Sequence, residues 1–305
     1  MPFTVGDYRG VLVPLVTPFE GERVDAGALA DLVQRLLAAG VSGFLVLGTT
    51  GEAPHLTDDE AEGVVRAVVR AAGGRVPVLA GSGRHSTSLT CAATWRLADA
   101  GADAALVLTP YYYRARMDGA ALCRHYASVA AAAPIPVFVY HMPEVTGLDL
   151  DAAALAAIVD IANVWGFKDS SSVGGPLAET LRHVCTCGLV GSGARFLEGL
   201  EAGAAGGILA LANVIPEVCL GIHAAWSAGD GGAATEKQRL AAQFGAVLRG
   251  WGVPGLKHVL SLRGVCVGAP RAPLDMPPPE VRSRLEVALR AALGGEMSPL
   301  GAAAV

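Results

Sequence analysis

Short, continuously apolar runs alternate with longer alanine- and leucine-rich segments along most of the chain. Eight of these runs predict strands: Val11–Val16, Gly43–Leu47, Val76–Ala80, Ala105–Leu108, Val137–Tyr140, Val164–Phe167, Leu189–Gly191 and Gly207–Leu211. Strands that are apolar at consecutive positions, rather than at every second position, are typical of a parallel sheet covered on both faces. Eight strand–helix units in succession fit a (β/α)8 TIM barrel better than an open sheet.

The segments between the predicted strands have helical patterns. These are Ala26–Ala39, Thr57–Ala72, Thr87–Ala100, Gly119–Ala132, Leu150–Ile161, Pro176–Cys185 and Arg195–Ala202. Three further helices, Ala233–Leu248, Gly255–Leu262 and Pro279–Leu293, follow the eighth unit and predict a C-terminal helical extension. We therefore expect a barrel domain over residues 1–228 and a helical region over residues 229–305.

Composition and charge exclude several classes of protein. The net charge is −5 and the basic residues form no run, which argues against a nucleic-acid binder. The longest apolar stretch, Gly206–Ala225, is interrupted by Asn213 and Pro216, so it predicts a buried strand and a helix rather than a membrane span. The six cysteines form no CxxC pair, and no secretory signal is visible at the N-terminus. We expect a soluble cytoplasmic protein with reduced thiols and no structural metal.

Two predicted strands end on a side chain that can do chemistry. Lys168 ends the apolar run that begins at Val164, and Tyr140 ends the run that begins at Pro136. Because charge is costly inside a core, an amine or a phenol at a strand tip indicates a site. A desolvated lysine can attack a carbonyl as a neutral amine, and a nearby tyrosine can move protons for the resulting imine. The alternative is an ordinary lysine whose amine reaches water just past a strand.

Other residues at the ends of the strands are candidates for the same site, because barrel enzymes carry their sites at this end. The segment Gly48-Thr49-Thr50-Gly51-Glu52 can turn tightly and offer backbone N–H groups to a small carboxylate. A plain tight turn is the alternative. Within that segment, Glu52 fits a structural partner better than an acid catalyst. His141 is open between substrate contact and hydrogen bonding within its loop.

Four motifs occur in order along the chain. They are Gly48-Thr49-Thr50-Gly51-Glu52, Thr109-Pro110-Tyr111-Tyr112, Tyr140-x-x-Pro143-x-x-Thr146-Gly147 and Gly166-Phe167-Lys168-Asp169. Together they resemble the signatures of the dihydrodipicolinate synthase/N-acetylneuraminate lyase superfamily. The resemblance implies a barrel with C-terminal helices, Schiff-base pyruvate chemistry without a cofactor or metal, and a homotetramer built from tight dimers.

The resemblance also implies roles for single residues. Lys168 matches the imine-forming lysine, and Tyr140 matches the tyrosine that moves protons. Thr49 and Tyr112 match a hydroxyl relay to that tyrosine, with the Tyr112 position often supplied by a neighbouring subunit. Thr50 matches the site that binds the pyruvate carboxylate. The remaining candidates for substrate contact are Gly48, Ser170, Gly191, Ser192 and Arg114.

One position bears on the substrate. Dihydrodipicolinate synthases usually carry an arginine two residues after the proline of the tyrosine motif, where this chain has Val145. Losing that guanidinium weakens recognition of the carboxylate of aspartate semialdehyde. The segments Tyr112–Met117 and Thr146–Leu150 resemble 4-hydroxy-2-oxoglutarate aldolase more closely, whereas His141, Glu144 and the Thr49-Thr50 pair depart from it.

The function expected from this resemblance is a class I aldolase that cleaves 4-hydroxy-2-oxoglutarate, reversibly, to pyruvate and glyoxylate. Two alternatives within the enzyme class stay open. One is a pyruvate-condensing synthase of the dihydrodipicolinate synthase type, and the other is an aldolase or dehydratase of a specialised pathway with another aldehyde partner. A catalytically dead barrel kept as a binding subunit is the alternative outside it, which the joint presence of Lys168, Tyr140, Thr49 and Tyr112 disfavours.

Overall fold

The computed structural model describes residues 3–171, 177–183, 186–295 and 297–301. In this part of the chain, eight parallel strands close into a barrel in which strands consecutive in sequence are neighbours, and the last pairs with the first. The strands are β1 Gly10–Pro14, β2 Gly43–Val46, β3 Val78–Gly81, β4 Ala104–Leu108, β5 Val137–His141, β6 Val164–Asp169, β7 Cys187–Val190 and β8 Gly206–Ile208. The fold is the predicted TIM barrel.

Helices surround the barrel and continue beyond it. They are α1 Ala26–Ala39, α2 Asp58–Ala72, α3 Thr87–Asp99, α4 Gly119–Ala132, α5 Ala152–Val159, α6 Leu177–His183, α7 Phe196–Glu201, α8 Pro216–Ser227, α9 Gly231–Leu248, α10 Gly252–Leu262 and α11 Pro279–Ala292. The last three form the predicted C-terminal extension. The proposed division of the chain between residues 228 and 229 stays a prediction. No helix of the described residues is long and apolar enough to cross a membrane.

Some predicted bounds differ from the structure. The sixth strand runs past Phe167 through Asp169, so Lys168 is part of the sheet. The eighth strand stops at Ile208 because Ala210–Asn213 turns back as a 3-10 helix, where the Asn213 amide nitrogen donates to the Pro14 carbonyl (2.8 Å). For the predicted helix Pro176–Cys185, the two end residues lie outside the described part of the chain.

The core has two layers, which follow from the alternation of side chains along each strand. The outer layer lies between strands and helices. The inner layer fills the barrel and includes Leu12, Leu45, Leu79, Leu106, Phe138, Tyr140, Leu189 and Ile208. Any strand residue in register with this inner set faces the barrel interior, which fixes where the side chains at the strand tips point.

Buried charges join the C-terminal extension to the barrel. Lys257 on α10 places its Nζ 2.7 Å from Oε1 of Glu52, in the turn after β2, and both side chains are almost fully buried. Arg263, also buried, donates to the carbonyls of Val214 (2.7 Å) and Ser298 (2.7 Å). These contacts anchor α10 and the segment after α11 to the barrel.

Candidate active site

Tyr140 on β5 and Lys168 on β6 are direct partners in the parallel ladder. Lys168 also pairs with Leu189 of β7, an inner-layer residue, so the amine and the phenol both face the barrel interior at its C-terminal end. Each residue is only 5% exposed, and Lys168 Nζ lies 4.2 Å from the centroid of the Tyr140 ring. The two predicted reactive side chains are therefore neighbours.

Lys168 has no charged partner in the part of the chain that the structure describes. Its Nζ makes neither a hydrogen bond nor a salt bridge to those residues, and its close contact is the face of Tyr140. The adjacent carboxylate, Asp169, is turned to the other face of β6, where it bonds to His141. An amine held this way keeps its nitrogen available to an electrophile, whereas a lysine in a buried ion pair does not.

The predicted hydroxyl relay contains an unexpected sulfur. Thr49 Oγ1 and the Tyr140 hydroxyl both donate to Sδ of Met142, over 3.7 Å and 2.7 Å, and do not bond to each other within the described structure. No pattern in the sequence points to a role for Met142. Thr49 and Tyr140 are thus brought together as expected, but Met142 lies between them, and a direct relay needs this side chain to move.

The turn after β2 leaves backbone donors available. Gly51 and Glu52 donate their N–H groups back to Gly48 (3.1 Å) and Thr49 (3.2 Å). The N–H groups of Thr49 and Thr50 make no bond to any described residue. The turn is also strained, because Leu47 has a φ of +57°, which costs a non-glycine residue about 1–2 kcal/mol. This geometry suits capture of a small carboxylate by two adjacent amides.

A cavity of about 380 Å³ opens at this end of the barrel and reaches Tyr140 and Thr49. Close approach of the loops depends on glycine. A Cβ on Gly81 would lie 2.0 Å from the Leu47 carbonyl oxygen, and one on Gly83 would lie 2.7 Å from the Leu108 nitrogen. The cavity lining is mostly apolar and contains Val145, the residue that replaces the arginine expected of dihydrodipicolinate synthases.

Other predicted site residues lie further away. Tyr112 is 72% exposed and packs its ring on His85 and Tyr113, so it does not join Tyr140 within one chain. Arg114 is exposed and lies against the backbone of Gly147 rather than in the cavity. The exposure of Tyr112 is compatible with the expectation that a neighbouring subunit supplies this position, whereas Arg114 corrects the expectation of a substrate contact, since it does not line the cavity of this copy.

The candidates after β6 and β7 divide between two places. Ser170 and Gly191 are side by side, since a Cβ on Gly191 would overlap the Ser170 hydroxyl. Ser192 instead lines a separate cavity of about 220 Å³ that also contains Asp169 and Arg195. Ser192 is therefore not brought to the cavity that Tyr140 lines.

Two open questions from the sequence are answered by contacts. Glu52 is a structural partner, because its carboxylate lies against Lys257 and accepts from the backbone N–H of Arg271 (2.9 Å). His141 hydrogen-bonds within its own loop and to Asp169, and its side chain is fully buried. Sequence reasoning missed Arg84 and His85, which line the cavity; their position directly after Gly83, at the end of β3, was the available signal.

These features define a class: barrels that carry a buried lysine and a buried tyrosine side by side at the C-terminal ends of the strands, the end at which barrel enzymes have their active sites. Comparison with known proteins identifies the particular family. Residues 7–292 match the profile described as the dihydrodipicolinate synthetase family, and the chain belongs to that family.

Curated relatives cover nearly the whole chain. An uncharacterized DapA-like lyase of Halobacterium salinarum is 41% identical over 284 residues, which cover 92% of this chain and 93% of the relative. A 4-hydroxy-tetrahydrodipicolinate synthase of Thermomicrobium roseum is 37% identical over 290 residues, with the same coverage. Neither carries the name 4-hydroxy-2-oxoglutarate aldolase, so that closer resemblance stays a prediction.

Solved structures agree with the fold. Dihydrodipicolinate synthase from Aquifex aeolicus superposes with a TM-score of 0.88 at 29% identity, covering 93% of this chain and 97% of that one. A prophage protein of the dihydrodipicolinic acid synthase family from E. coli K12, solved in complex with pyruvate, gives 0.89 at 27% identity, covering 94% and 99%. The chain thus shares the architecture of a superfamily of pyruvate-dependent aldolases and synthases.

Proposed function

We propose that this protein is a class I aldolase that forms a Schiff base between Lys168 and pyruvate. The observation that carries the proposal is the environment of the Lys168 amine. It is buried at a strand tip beside Tyr140 and is engaged by no carboxylate of the described residues. The E. coli protein solved with pyruvate supports pyruvate as the ligand of this site.

The reaction follows from the side chains at the barrel mouth. The neutral Lys168 amine adds to the 2-oxo carbon of the substrate, and loss of water leaves an iminium ion. This cation accepts the electron pair of the C3–C4 bond as that bond breaks, which gives an enamine and an aldehyde. Tyr140 takes the proton of the C4 hydroxyl group as cleavage proceeds and passes its own hydroxyl proton on to the relay of Thr49 and Tyr112. Protonation of the enamine at C3 and hydrolysis then release pyruvate and restore the amine.

Two other groups hold the substrate in this scheme. The N–H groups of Thr49 and Thr50 bind the C1 carboxylate, since they are adjacent and otherwise unbonded in the described structure. Tyr112 completes the proton relay in the site of a neighbouring copy. Its exposure in the single chain supports that role and the proposed homotetramer of tight dimers. We keep a cytoplasmic location as part of the proposal.

The proposed substrate is 4-hydroxy-2-oxoglutarate, which gives pyruvate and glyoxylate. The resemblance of Tyr112–Met117 and Thr146–Leu150 to 4-hydroxy-2-oxoglutarate aldolase supports this choice. Val145 in the cavity lining speaks against aspartate semialdehyde, because it stands where dihydrodipicolinate synthases usually carry the arginine that binds the carboxylate of that substrate. The second candidate is condensation of pyruvate with aspartate semialdehyde. It is favoured by the name of the Thermomicrobium roseum relative, 4-hydroxy-tetrahydrodipicolinate synthase.

Two measurements test the proposal. Borohydride should inactivate the enzyme only when pyruvate is present, and a dead barrel would be unaffected under both conditions. We then expect a kcat/KM for cleavage of 4-hydroxy-2-oxoglutarate that exceeds the kcat/KM for condensation with aspartate semialdehyde. The reverse preference would favour the synthase. Inactivity with both, with intact pyruvate-dependent inactivation, would indicate another aldehyde partner.

A further inference from the structure

Directly beside the reactive pair lies a second pair of side chains on the opposite face of the same strands. His141 follows Tyr140 on β5 and is in register with Asp169, which follows Lys168 on β6. His141 Nδ1 lies 2.9 Å from Asp169 Oδ1, and the His141 side chain is fully buried. Tyr140 and Lys168 therefore face the barrel interior. His141 and Asp169 face the outside of the barrel, where their hydrogen bond joins the ends of β5 and β6.

The proton between these two side chains belongs to the histidine. Burial alone would raise the pKa of Asp169, but hydrogen bonds from His141 and from the Ser171 N–H outweigh it and hold the pKa below its ordinary value. Asp169 is thus ionised and accepts from Nδ1–H of His141. In the neutral imidazole the other ring nitrogen, Nε2, then carries the lone pair.

Two groups compete for Nε2 of His141, and only one of them can bond to it at a time. The backbone N–H of Leu150 donates to Nε2 over 3.1 Å, which requires the lone pair. Oδ1 of Asp149 lies 3.2 Å from the same atom and can bond to it only when Nε2 carries a proton. Neutral His141 therefore holds Leu150, and protonated His141 gives up this bond and donates to Asp149.

The ionisable groups around His141 lie on three elements. Among the described residues, Asp169 faces it from β6 and Asp149 from the loop before α5. Arg195, at the start of α7, interacts electrostatically with Asp169 rather than with the imidazole. Lys168 is adjacent in sequence to Asp169 but lies on the other face of β6. The positive charge of a protonated His141 is thus opposed by two carboxylates.

The segment held by this histidine runs from Met142 to Leu150 and carries groups of the site. Met142 contributes the sulfur that accepts from Tyr140, and Val145 lines the cavity. Thr146 ties the segment to itself, because its hydroxyl donates to the Met142 carbonyl (3.0 Å). His141 precedes this segment, and its ring reaches across to the far end at Leu150, so it fixes the loop at both ends.

We propose that His141 is a positioning residue for Tyr140, and that protonation of its Nε2 exchanges Leu150 for Asp149 and so releases the loop that carries Met142 and Val145. This inference rests on the proposed function, because its effect is measured as the rate of the step that depends on Tyr140. Neutral His141 is the active form. Activity should therefore fall on the acidic side, as Nε2 takes up a proton and exchanges its partner.

The first test compares the pH dependence of kcat/KM for pyruvate release in wild type and three variants. The fall in kcat/KM on the acidic side is called the acidic limb. His141→Gln keeps a donor for Asp169 and an acceptor for Leu150 but cannot titrate, so it should stay active and lose the acidic limb. Asp149→Asn removes the acceptor of the protonated form and should move the limb to lower pH by roughly 0.2–0.7 units, as expected for an exposed ion pair. Glu144→Gln, an exposed acid of the same loop, should leave the limb in place.

The second test separates positioning from folding. His141→Phe fills the space without either hydrogen bond and should lower kcat about 10–100-fold, while pyruvate still traps on Lys168 with borohydride. Rescue by His141→Gln identifies the hydrogen bonds as the cause even where the Phe variant is unstable. An unchanged limb in His141→Gln, or equal shifts in Asp149→Asn and Glu144→Gln, would overturn the inference. Absence of trapping in wild type would instead refute the proposed function.

Discussion

Two of the three lysines in this chain, Lys168 and Lys257, are buried, and each amine lies over an aromatic ring. Lys168 Nζ is 4.2 Å from the ring centroid of Tyr140, and Lys257 Nζ is 4.3 Å from that of Phe19. The two amines differ in their polar partners. Lys257 has the Glu52 carboxylate at 2.7 Å and donates to the Ala269 carbonyl at 3.1 Å, whereas Lys168 has neither kind of partner among the described residues.

The comparison separates a lysine held in a buried ion pair from the lysine that the proposed function makes reactive. Burial holds the pKa of Lys257 below its ordinary value, with the Glu52 carboxylate opposing that effect, and the amine serves to join α10 to the turn after β2. Taking a charge out of water is costly, and Glu52 compensates that cost for Lys257. No residue in the described part of the chain compensates that cost at Lys168, and the proposed function explains its placement by chemistry rather than by stability.

The largest expected effect comes from removing the reactive amine. Lys168→Met should abolish turnover, by roughly 10⁴-fold or more, because it removes the amine that forms the proposed imine. Its stability in denaturant titrations should equal or exceed that of wild type, since a buried amine is replaced by an apolar chain of similar length. A marked loss of stability would place Lys168 in the structural category with Lys257.

The second prediction concerns the partner of that amine. Tyr140→Phe should lower kcat by about 10²–10⁴-fold, because the phenol transfers a proton. The rate of borohydride trapping of pyruvate should change little, since the ring beneath Lys168 remains. Equal losses in turnover and trapping would make Tyr140 part of the binding of the amine rather than of proton transfer.

The third prediction concerns the other buried lysine, where a substitution should lower stability and leave pyruvate trapping intact. Lys257→Met takes the lysine partner from the buried Glu52 carboxylate, which keeps its contacts with His55 Nδ1 (3.2 Å) and the Arg271 N–H (2.9 Å). The loss should lower the free energy of unfolding by about 3–5 kcal/mol. The double variant Glu52→Gln/Lys257→Met should recover part of that loss, because it removes the stranded charge. Refolded Lys257→Met should still trap pyruvate. Loss of trapping in a folded variant would contradict the division between the two lysines.

The smallest effect is a pH dependence near the same turn. The Arg271 guanidinium beside Glu60 lowers the pKa of that carboxyl from its ordinary 4.5 to about 2. A carboxyl whose pKa is lowered by folding stabilises the protein above its ordinary pKa and loses that contribution as the pH falls through the folded value. Glu60→Gln should therefore cost about 0.5–1 kcal/mol at neutral pH, and the gap to wild type should close between pH 4.5 and 2. A gap that stays constant on acidification would show that Glu60 acts through packing.

The barrel and the positions of its reactive side chains could be predicted because they depend on local patterns. Apolar runs fix the strands, and parallel pairing places the residues that end them at one mouth, so Lys168 and Tyr140 meet. The side-chain arrangement above the strands could not be predicted in this way. Met142 lies between Thr49 and Tyr140 because of the path of its loop, which no periodicity encodes.

Contacts between distant parts of the chain set a second limit. Glu52 could be predicted as a structural partner, but its match with Lys257 joins a turn near the start of the barrel to a helix after its end. Tyr112 illustrates the remaining gap. Its motif is present in the sequence, yet its side chain is exposed in one copy, and the proposed relay needs a neighbouring copy to bring it to Tyr140.

Lys168, buried and without a charged partner among the described residues, is the lysine that we propose to react, and a chain with only three lysines makes this directly measurable. The protein is incubated with pyruvate, reduced with borohydride and digested, and the peptides carrying Lys168, Lys237 and Lys257 are compared by mass spectrometry. We predict a reduced pyruvate adduct on the Lys168 peptide and none on the other two. An adduct on Lys257 or Lys237 in place of Lys168, or no adduct on any of the three, would contradict the account.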